Sequence, residues 1–176
     1  IDLKQSLEQI LKATDKKSVQ KNIKRSKERG VTITQINSRQ DLETYYQLLN
    51  QFRKENNLGQ YSFNNVIKGF VLLKNIGYIG FLAWYDGFPI GAISISVFNG
   101  YINEWGIART KLDHEKNLYS IDYLRWKIIE WGKKNNCNYY DLSGVKMENQ
   151  TPKEKGIFKN KEKWGGLLHE YMVFKN

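Results

Sequence analysis

The apolar positions of the chain recur with two different periods, which together predict a mixture of helices and strands. Residues 2–13 carry leucine and isoleucine at helical spacing, so we expect an amphipathic helix there. Asp15 is placed to cap a second helix over residues 16–29, and Gly30 would end it. The chain is therefore expected to open with two helices.

The next part of the chain predicts a strand followed by two helices. Residues 31–36 alternate between apolar and polar side chains, which is typical of a half-buried strand. Ser38 and Asp41 resemble a capping box for a helix that reaches about Asn56. A further helix is expected over residues 64–74, because its apolar side chains lie on one side.

Three apolar runs separated by short turns then predict an antiparallel meander. The runs cover residues 78–85, 89–98 and 101–108. Asp86-Gly87 separates the first two runs and Asn99-Gly100 the second and third, and such dipeptides accept the positive φ of tight hairpins. We therefore expect three neighbouring strands.

The last third of the chain predicts a long helix and a return to the sheet. A polar loop is expected over residues 109–116, a helix over 118–135 and a fifth main strand over 138–142. Residues 153–163 predict a basic loop or a short helix, and residues 167–174 a closing strand. The whole pattern indicates one α/β (α+β) domain, with a mixed sheet that carries helices on its faces.

Composition and charge narrow the classes of function. Lys and Arg exceed Asp and Glu by ten, which favours a polyanionic partner such as RNA, an acidic membrane surface or a phosphate-bearing small molecule. One cysteine and two histidines are too few for a structural zinc site, and no metal site is expected. The sequence has no Gly-rich nucleotide loop, so redox-cofactor and nucleotide-hydrolysis functions are disfavoured.

The second predicted helix is strongly basic. Seven of its residues are Lys or Arg, among them Lys17, Lys21, Lys24 and Arg25. These side chains either form a solvated face or meet phosphate groups, because so many like charges repel one another unless an anion is near. The four named residues are our candidate phosphate contacts.

Two carboxylates lie at positions suited to chemistry. Glu104 sits among apolar and aromatic residues of the third meander strand, so it has a partner, has a raised pKa that suits a general base, or faces water. Asp141 ends the fifth strand, where it either orients a substrate amine or accepts backbone N–H groups of the next loop. The adjacent rings of Trp105 and Tyr140 are candidate substrate contacts.

A lysine-rich segment follows near the end of the chain. Lys159, Lys161 and Lys163 alternate with polar residues ahead of Trp164 and two glycines. Lysines fixed beside an acyl carbonyl stabilise the oxyanion of a tetrahedral intermediate, and others hold phosphate. The segment is either such a site, with Lys159, Lys163 and Trp164 as substrate contacts, or a plain basic loop.

Four segments carry a resemblance to a known family. They are residues 22–31 (NIKRSKERGV), 123–132 (YLRWKIIEWG), 139–144 (YYDLSG) and 156–166 (GIFKNKEKWGG), the last followed by His169-Glu-Tyr171. In this order they resemble the second half of the Fem family, the aminoacyl-tRNA-dependent transferases of peptidoglycan cross-bridges. The resemblance runs over nearly the whole chain.

The resemblance implies a domain of the GNAT acyltransferase type, with a mostly antiparallel sheet. It implies that an amine of a muropeptide precursor attacks the ester carbonyl of a charged tRNA, without a cofactor. Lys161 matches the lysine of the family's late Phe-Lys motif, which would support the developing negative charge. Together with Glu104 and Asp141, chosen from their positions in the predicted strands, it makes up the predicted catalytic set. Asn160 stands where the family usually has an aromatic residue.

The resemblance also implies partners and a place in the cell. Charged tRNA, whose phosphates the basic helix would meet, and a muropeptide precursor are the expected partners, in the bacterial cytoplasm or peripherally at the inner membrane surface. The family normally carries a first domain that holds the muropeptide. This chain is therefore expected to be the C-terminal half of a longer protein or a shortened relative.

Two other functions stay open on the sequence. One is an N-acyltransferase that uses acetyl-CoA or another acyl-CoA on a sugar or peptide amine, since the fold type is shared. Residues 109–120 lack the glycine-rich loop whose backbone amides hold the CoA pyrophosphate, which speaks against it. The other is a noncatalytic module that binds RNA or acidic membranes through the basic helix.

Overall fold

A five-stranded sheet forms the centre of the computed structural model, which describes residues 1–73, 77–148 and 150–170. The strands lie in chain order: β1 (Thr32–Gln35), β2 (Tyr78–Tyr85), β3 (Phe88–Phe98), β4 (Tyr101–Arg109) and β5 (Tyr139–Asp141). Neighbouring strands are antiparallel, except that β4 and β5 are parallel. The mixed, mostly antiparallel sheet that the sequence predicts is confirmed.

Helices cover both faces of this sheet. They are α1 (Leu7–Ala13), α2 (Lys21–Glu28), α3 (Arg39–Glu55), α4 (Phe63–Leu72), α5 (Lys111–Glu115), α6 (Ser120–Lys134) and α7 (Pro152–Glu162). A π-helical segment, Lys16–Gln20, leads into α2. The long helix α6 packs on one face of the sheet, and α3 with α4 packs on the other. Within the described ranges, no helix combines the length and the apolar character needed to cross a membrane.

The helix ends follow the capping signals in the sequence. Asp15 accepts a hydrogen bond from the backbone N–H of Ser18 at 2.7 Å, which begins the second helical segment. Ser38 and Asp41 form the predicted capping box at the start of α3. Gly30 has a φ of +80°, the left-handed conformation in which helices commonly end. These three local predictions are confirmed.

The first predicted helix is shorter than its apolar pattern indicates. It begins only at Leu7, because Ser6 and Gln9 form a capping box there. Residues 1–3 instead run beside β5, where the N–H of Leu3 donates to Asn138 at 2.8 Å. Leu3 is therefore buried in the core without being part of a helix, and it lies close to Gly132 of α6.

Two further predictions near the end of the chain are wrong. Residues 109–116, predicted as a polar loop, have regular structure in part. β4 continues to Arg109, and the Thr110 side chain then caps α5. The closing strand is absent over residues 167–170, and the remainder of that prediction lies outside the described residues. The end of the predicted helix 64–74 also lies outside them, beyond the observed end of α4 at Leu72.

A bulge and a short neighbour shape the edge of β4. Ser94 of β3 pairs with Gly106, but Ile95 pairs with Glu104, so Trp105 is an extra residue in β4. The pairing of β5 with β4 ends at Asn103 and Asp141, although β4 itself continues beyond that point. The two strands therefore leave an opening beside the bulge.

A substitution at Gly165 tests how the segment after α7 packs against Ala13 at the end of α1. Its φ is +66°, and an added Cβ would run into the carbonyl oxygen of Ala13. We expect Gly165→Ala to lower the free energy of unfolding by roughly 1–3 kcal/mol, from backbone strain and overpacking. Gly156→Ala, in α7, is the matched control, since nothing lies within 4 Å of its added Cβ. Urea unfolding compares the two variants, and equal stabilities would contradict this packing.

Candidate active site

Glu104 lies beside the bulge and is held in a buried ion pair. Arg125 of α6 grips the carboxylate with two hydrogen bonds, from Nε to Oε2 at 3.0 Å and from Nη2 to Oε1 at 2.9 Å. The hydroxyl of Tyr140 in β5 donates to Oε2 at 2.6 Å. Both charged side chains are only 3% exposed. Of the three environments considered for Glu104, the structure has the partnered one.

The protonation of this cluster follows from its contacts. Burial alone would lower the pKa of Arg125, but the charge and hydrogen bonds of Glu104 raise it above its ordinary value. Burial and then the charge of Glu104 raise the pKa of Tyr140 well above its ordinary value. Arg125 therefore stays a cation and Tyr140 stays neutral. Glu104 has no face open to a substrate, so the geometry does not support a general-base role.

Arg125 also reaches the helix that carries the lysines. Its Nη1 donates to Oδ1 of Asn160 in α7 at 2.8 Å. One guanidinium thus joins β4 to α7, while Tyr140 brings in β5. Asn160 stands where the Fem family usually has an aromatic residue. Its side chain is a hydrogen-bond acceptor for the buried guanidinium of Arg125.

Lys161 follows Asn160 and lies at the opening between β4 and β5. Its Nζ donates to the carbonyl oxygens of Ser143 at 3.0 Å and of Gly144 at 2.9 Å. Burial lowers the pKa of Lys161, an effect that the charges of Glu104 and Asp141 oppose. The side chain is half-buried, with its ammonium fixed at the end of β5.

Ser143 and Asp141 complete the rim of the opening. Ser143 Oγ donates to the carbonyl oxygen of Glu104, which ties the end of β5 to the bulge. Asp141 accepts from the N–H of Ser143 at 2.8 Å and from the hydroxyl of Tyr101 at 3.2 Å. The three residues predicted to be catalytic, Lys161, Glu104 and Asp141, are thus brought together around one opening.

The predicted substrate contacts fare differently from one another. Trp105 is 66% exposed, and Lys159 and Lys163 are also exposed. Tyr140 and Trp164, in contrast, lie in the hydrophobic core, with Trp164 only 1% exposed. The prediction of substrate contacts is wrong for these two rings, because the packing of β5 and of the end of α7 encloses them.

The basic helix lies against the start of α6. Lys17, Lys21 and Lys24 are exposed, whereas Arg25 is half-buried and its guanidinium lies 6.0 Å from the ring centre of Tyr119. Asn22 of the same helix donates to Asp122 at 2.7 Å. Three of the four candidate phosphate contacts are therefore accessible, Lys17 in the π-helical segment and Lys21 and Lys24 in α2.

Solved structures of other proteins have the same arrangement of strands and helices. FemX superposes with a TM-score of 0.80 over 93% of this chain and 57% of its own, at 8% identity. L-PGS from Bacillus licheniformis gives a TM-score of 0.66 over 95% and 55%, at 15% identity. The aminoglycoside N-acetyltransferase AAC(6')-Iy, in complex with CoA, gives 0.58 over 83% and 93%, at 18% identity.

The chain has the GNAT fold. At these identities the similarity concerns the fold alone, and at that level the resemblance to a GNAT domain of the Fem type is confirmed. The chain spans little more than half of the length of FemX and of L-PGS. No family model and no curated protein matches the sequence.

Within this GNAT fold, the start of α6 is occupied by the chain itself. The carboxylate of Asp113 accepts from the N–H of Ser120 at 2.8 Å, and Arg109 Nε lies 3.5 Å from its other oxygen. Asp113 is buried, and burial raises its pKa. A helix N-terminus is a ready site for phosphate. Here a protein carboxylate already uses the first-turn amide.

Three residues of this site carry only weak signals in the sequence. Arg125 lies among the apolar residues of α6, and a basic residue in such a stripe needs a buried partner. Asn160 differs from the Fem pattern, and Ser143 has no histidine nearby in sequence that would mark it as a nucleophile. Their shared function depends on contacts between elements far apart in the chain.

Arg125→Met tests the buried pair. It leaves Glu104 buried without its counter-charge, so we expect the free energy of unfolding to fall by roughly 3–5 kcal/mol. Lys127→Met on the same helix is the control, because it removes a half-exposed cation that pairs with Glu130. That change should cost less than about 1 kcal/mol. Chemical denaturation measures both, and similar losses would contradict the central place of Arg125.

Proposed function

We propose that this chain is an acyltransferase domain that moves an aminoacyl group from a charged tRNA to an amine of a peptidoglycan precursor. The observation that carries this proposal is Lys161, whose ammonium is fixed at the opening between β4 and β5. Acyl transfer to an amine passes through a tetrahedral intermediate with a negatively charged oxygen. A fixed cation at this opening supplies the charge that such an oxygen needs.

The hydrogen bonds of Lys161 support its assignment to the oxyanion. An ammonium has three N–H groups. Two of them point at the carbonyls of Ser143 and Gly144, which fixes the side chain. We assign the third to the developing oxyanion of the substrate. This interaction forms fully only as charge develops, so it stabilises the transition state more than the bound ester.

The reaction itself needs little more from the protein. The uncharged amine attacks the ester carbonyl, the C–N bond forms, the ester C–O bond breaks, and a proton passes to the released ribose oxygen. Asp141 is our candidate for orienting the amine, because its carboxylate lies on the rim of the opening. Glu104 has a positioning role. It binds Arg125, and Arg125 in turn binds Asn160, which holds α7 and its Lys161 in place.

Two features favour charged tRNA over acyl-CoA as the donor. The exposed lysines of the π-helical segment and α2, Lys17, Lys21 and Lys24, offer contacts for a phosphate backbone. Asp113 would repel a diphosphate at the N-terminus of α6. Acyl-CoA remains the second candidate donor, because AAC(6')-Iy has the same fold and was solved with CoA.

Transfer assays test the proposal directly. The protein is incubated with a mixture of charged tRNAs and, separately, with acetyl-CoA, each with UDP-linked and lipid-linked muropeptides. We expect transfer from tRNA, and a loss of roughly 10²–10³-fold in rate for Lys161→Ala, the usual effect of removing one oxyanion donor. Lys155→Ala removes an exposed lysine of the same helix and is the control, expected to stay within about twofold because exposed charges contribute little. Transfer from acetyl-CoA alone would establish the second candidate instead.

The pH dependence of the reaction provides a further test of Lys161. Burial lowers its pKa, so the ammonium is lost at a lower pH than for an ordinary lysine. We expect the rate to fall as pH rises through this lowered pKa. Lys161→Arg keeps a cation at all these pH values, so any activity it retains should lack the alkaline decline. The pH–rate profiles are corrected for spontaneous ester hydrolysis, and the same decline in both proteins would contradict a cationic role.

A further inference from the structure

A large groove on the α3 and α4 side of the sheet has no part in the proposed chemistry. We call it the aromatic groove, and it is lined by Phe52, Tyr61, Gly69, Phe70, Tyr78 and Trp105, among others. Its volume is about 520 Å³, which falls within the usual range for small-molecule sites. The space is therefore large enough to hold a ring together with the group to which the ring is attached.

One wall of the groove is a series of rings in edge-to-face contact. Trp105 and Tyr78 meet at 6.1 Å and 89°, Tyr78 and Phe70 at 4.7 Å and 76°, and Phe70 and Tyr45 at 5.5 Å and 70°. The hydroxyls of Tyr78 and Tyr45 both bond to Ser94 Oγ, at 3.1 and 3.0 Å. The rings are thus fixed before any ligand arrives. Trp105 stands at the open end of the series, with most of its surface exposed.

The charges around the groove select against ionic ligands. Among the described residues that line it, none is acidic, and Arg53 is the one basic residue. The Arg53 guanidinium already lies 4.1 Å from the ring centre of Tyr61, and its Nε donates to the carbonyl of Gly59. A bound ammonium would lack a carboxylate, and a phosphate would lack sufficient free cations. The lining suits an uncharged planar ring, which would stack on aromatic faces.

The groove ends next to the site of acyl transfer. Trp105 follows Glu104, whose carbonyl accepts from Ser143 Oγ, and the carbonyl of Ser143 accepts from Lys161. Glu104 and Ser143 therefore link Trp105 to the ammonium of Lys161, through one peptide bond and two hydrogen bonds. Trp105 therefore belongs both to the aromatic groove and to the edge of β4 that borders the opening.

We propose that the aromatic groove binds an uncharged planar ring of the acyl donor, stacked on the indole of Trp105. This inference rests on the proposed transfer from charged tRNA and adds the chemistry by which the donor is recognised. Such a donor offers this ring from two sources, the terminal nucleobase of the tRNA or an aromatic side chain on the aminoacyl group. Stacking serves both, because each has a π-face.

Binding of small probes tests the groove independently of catalysis. Adenosine and N-acetylphenylalaninamide, both uncharged, are titrated into the protein by calorimetry and followed by ligand-observed NMR. We expect one of them to bind, and Trp105→Ala to weaken it roughly 5- to 150-fold, the range found for loss of one stacked base. Phe88→Ala is the matched control, because it removes another exposed ring, at the far end of the β2–β3 hairpin.

A second variant fills the groove without removing a ring. Nothing lies within 4 Å of a Cβ added to Gly69, which lines the groove from α4. Gly69→Leu should abolish probe binding, while Gly69→Ala should leave it nearly unchanged, and both should keep the fold because they improve helix propensity. Circular dichroism and unfolding curves verify that the variants are folded.

The outcomes separate the groove from the transfer reaction. Binding of adenosine assigns the ring to the nucleobase, and binding of N-acetylphenylalaninamide assigns it to the side chain. If neither probe binds, or if Trp105→Ala and Gly69→Leu bind as the unaltered protein does, the groove proposal is overturned even where transfer is intact. Lys161→Ala should bind the probe normally, because Lys161 does not line the groove. If the unaltered protein binds a probe but transfers no acyl group, the proposed function is overturned and the groove proposal stands.

Discussion

The ion pair between Glu104 and Arg125 is the interaction on which the rest of the site depends. A charge removed from water must be matched by a partner and by hydrogen bonds, and here Tyr140 and Asn160 supply the remaining contacts. Because these four residues come from β4, α6, β5 and α7, satisfying one buried carboxylate fixes four elements together. The network also excludes alternative placements of α7, since any of them would leave the guanidinium with an unmet donor.

Two irregularities in neighbouring strands determine where the opening lies. The bulge at Trp105 and the early end of β5 separate two parallel strands that would otherwise continue side by side. Polar contacts then line the gap, with Ser143 joining the end of β5 to the carbonyl of Glu104. Trp105, Gly106 and Ile107 of β4 line the aromatic groove, and Lys161 binds the carbonyl of Ser143 beyond the end of β5.

The sequence predicted the elements better than it predicted the site. Alternation and turn dipeptides were sufficient for the β2–β4 meander, and capping signals for α3, because both depend on neighbouring residues. The apolar spacing of residues 2–13 was misleading, since Leu3 is buried through pairing of the chain with β5. For the site, Lys161 was found by resemblance. The role of Glu104 depended on Arg125, 21 residues away, and local pattern contains no information about that pairing.

The short segment at residues 1–3 has a consequence for behaviour in solution. A strand at the margin of a sheet offers free N–H and C=O groups to other chains, which favours self-association. Here the carbonyl of Ile1 accepts from Tyr140 and the N–H of Leu3 donates to Asn138, so the outer margin of β5 is already engaged. The β5 margin of the sheet is thereby closed to strand addition by another chain.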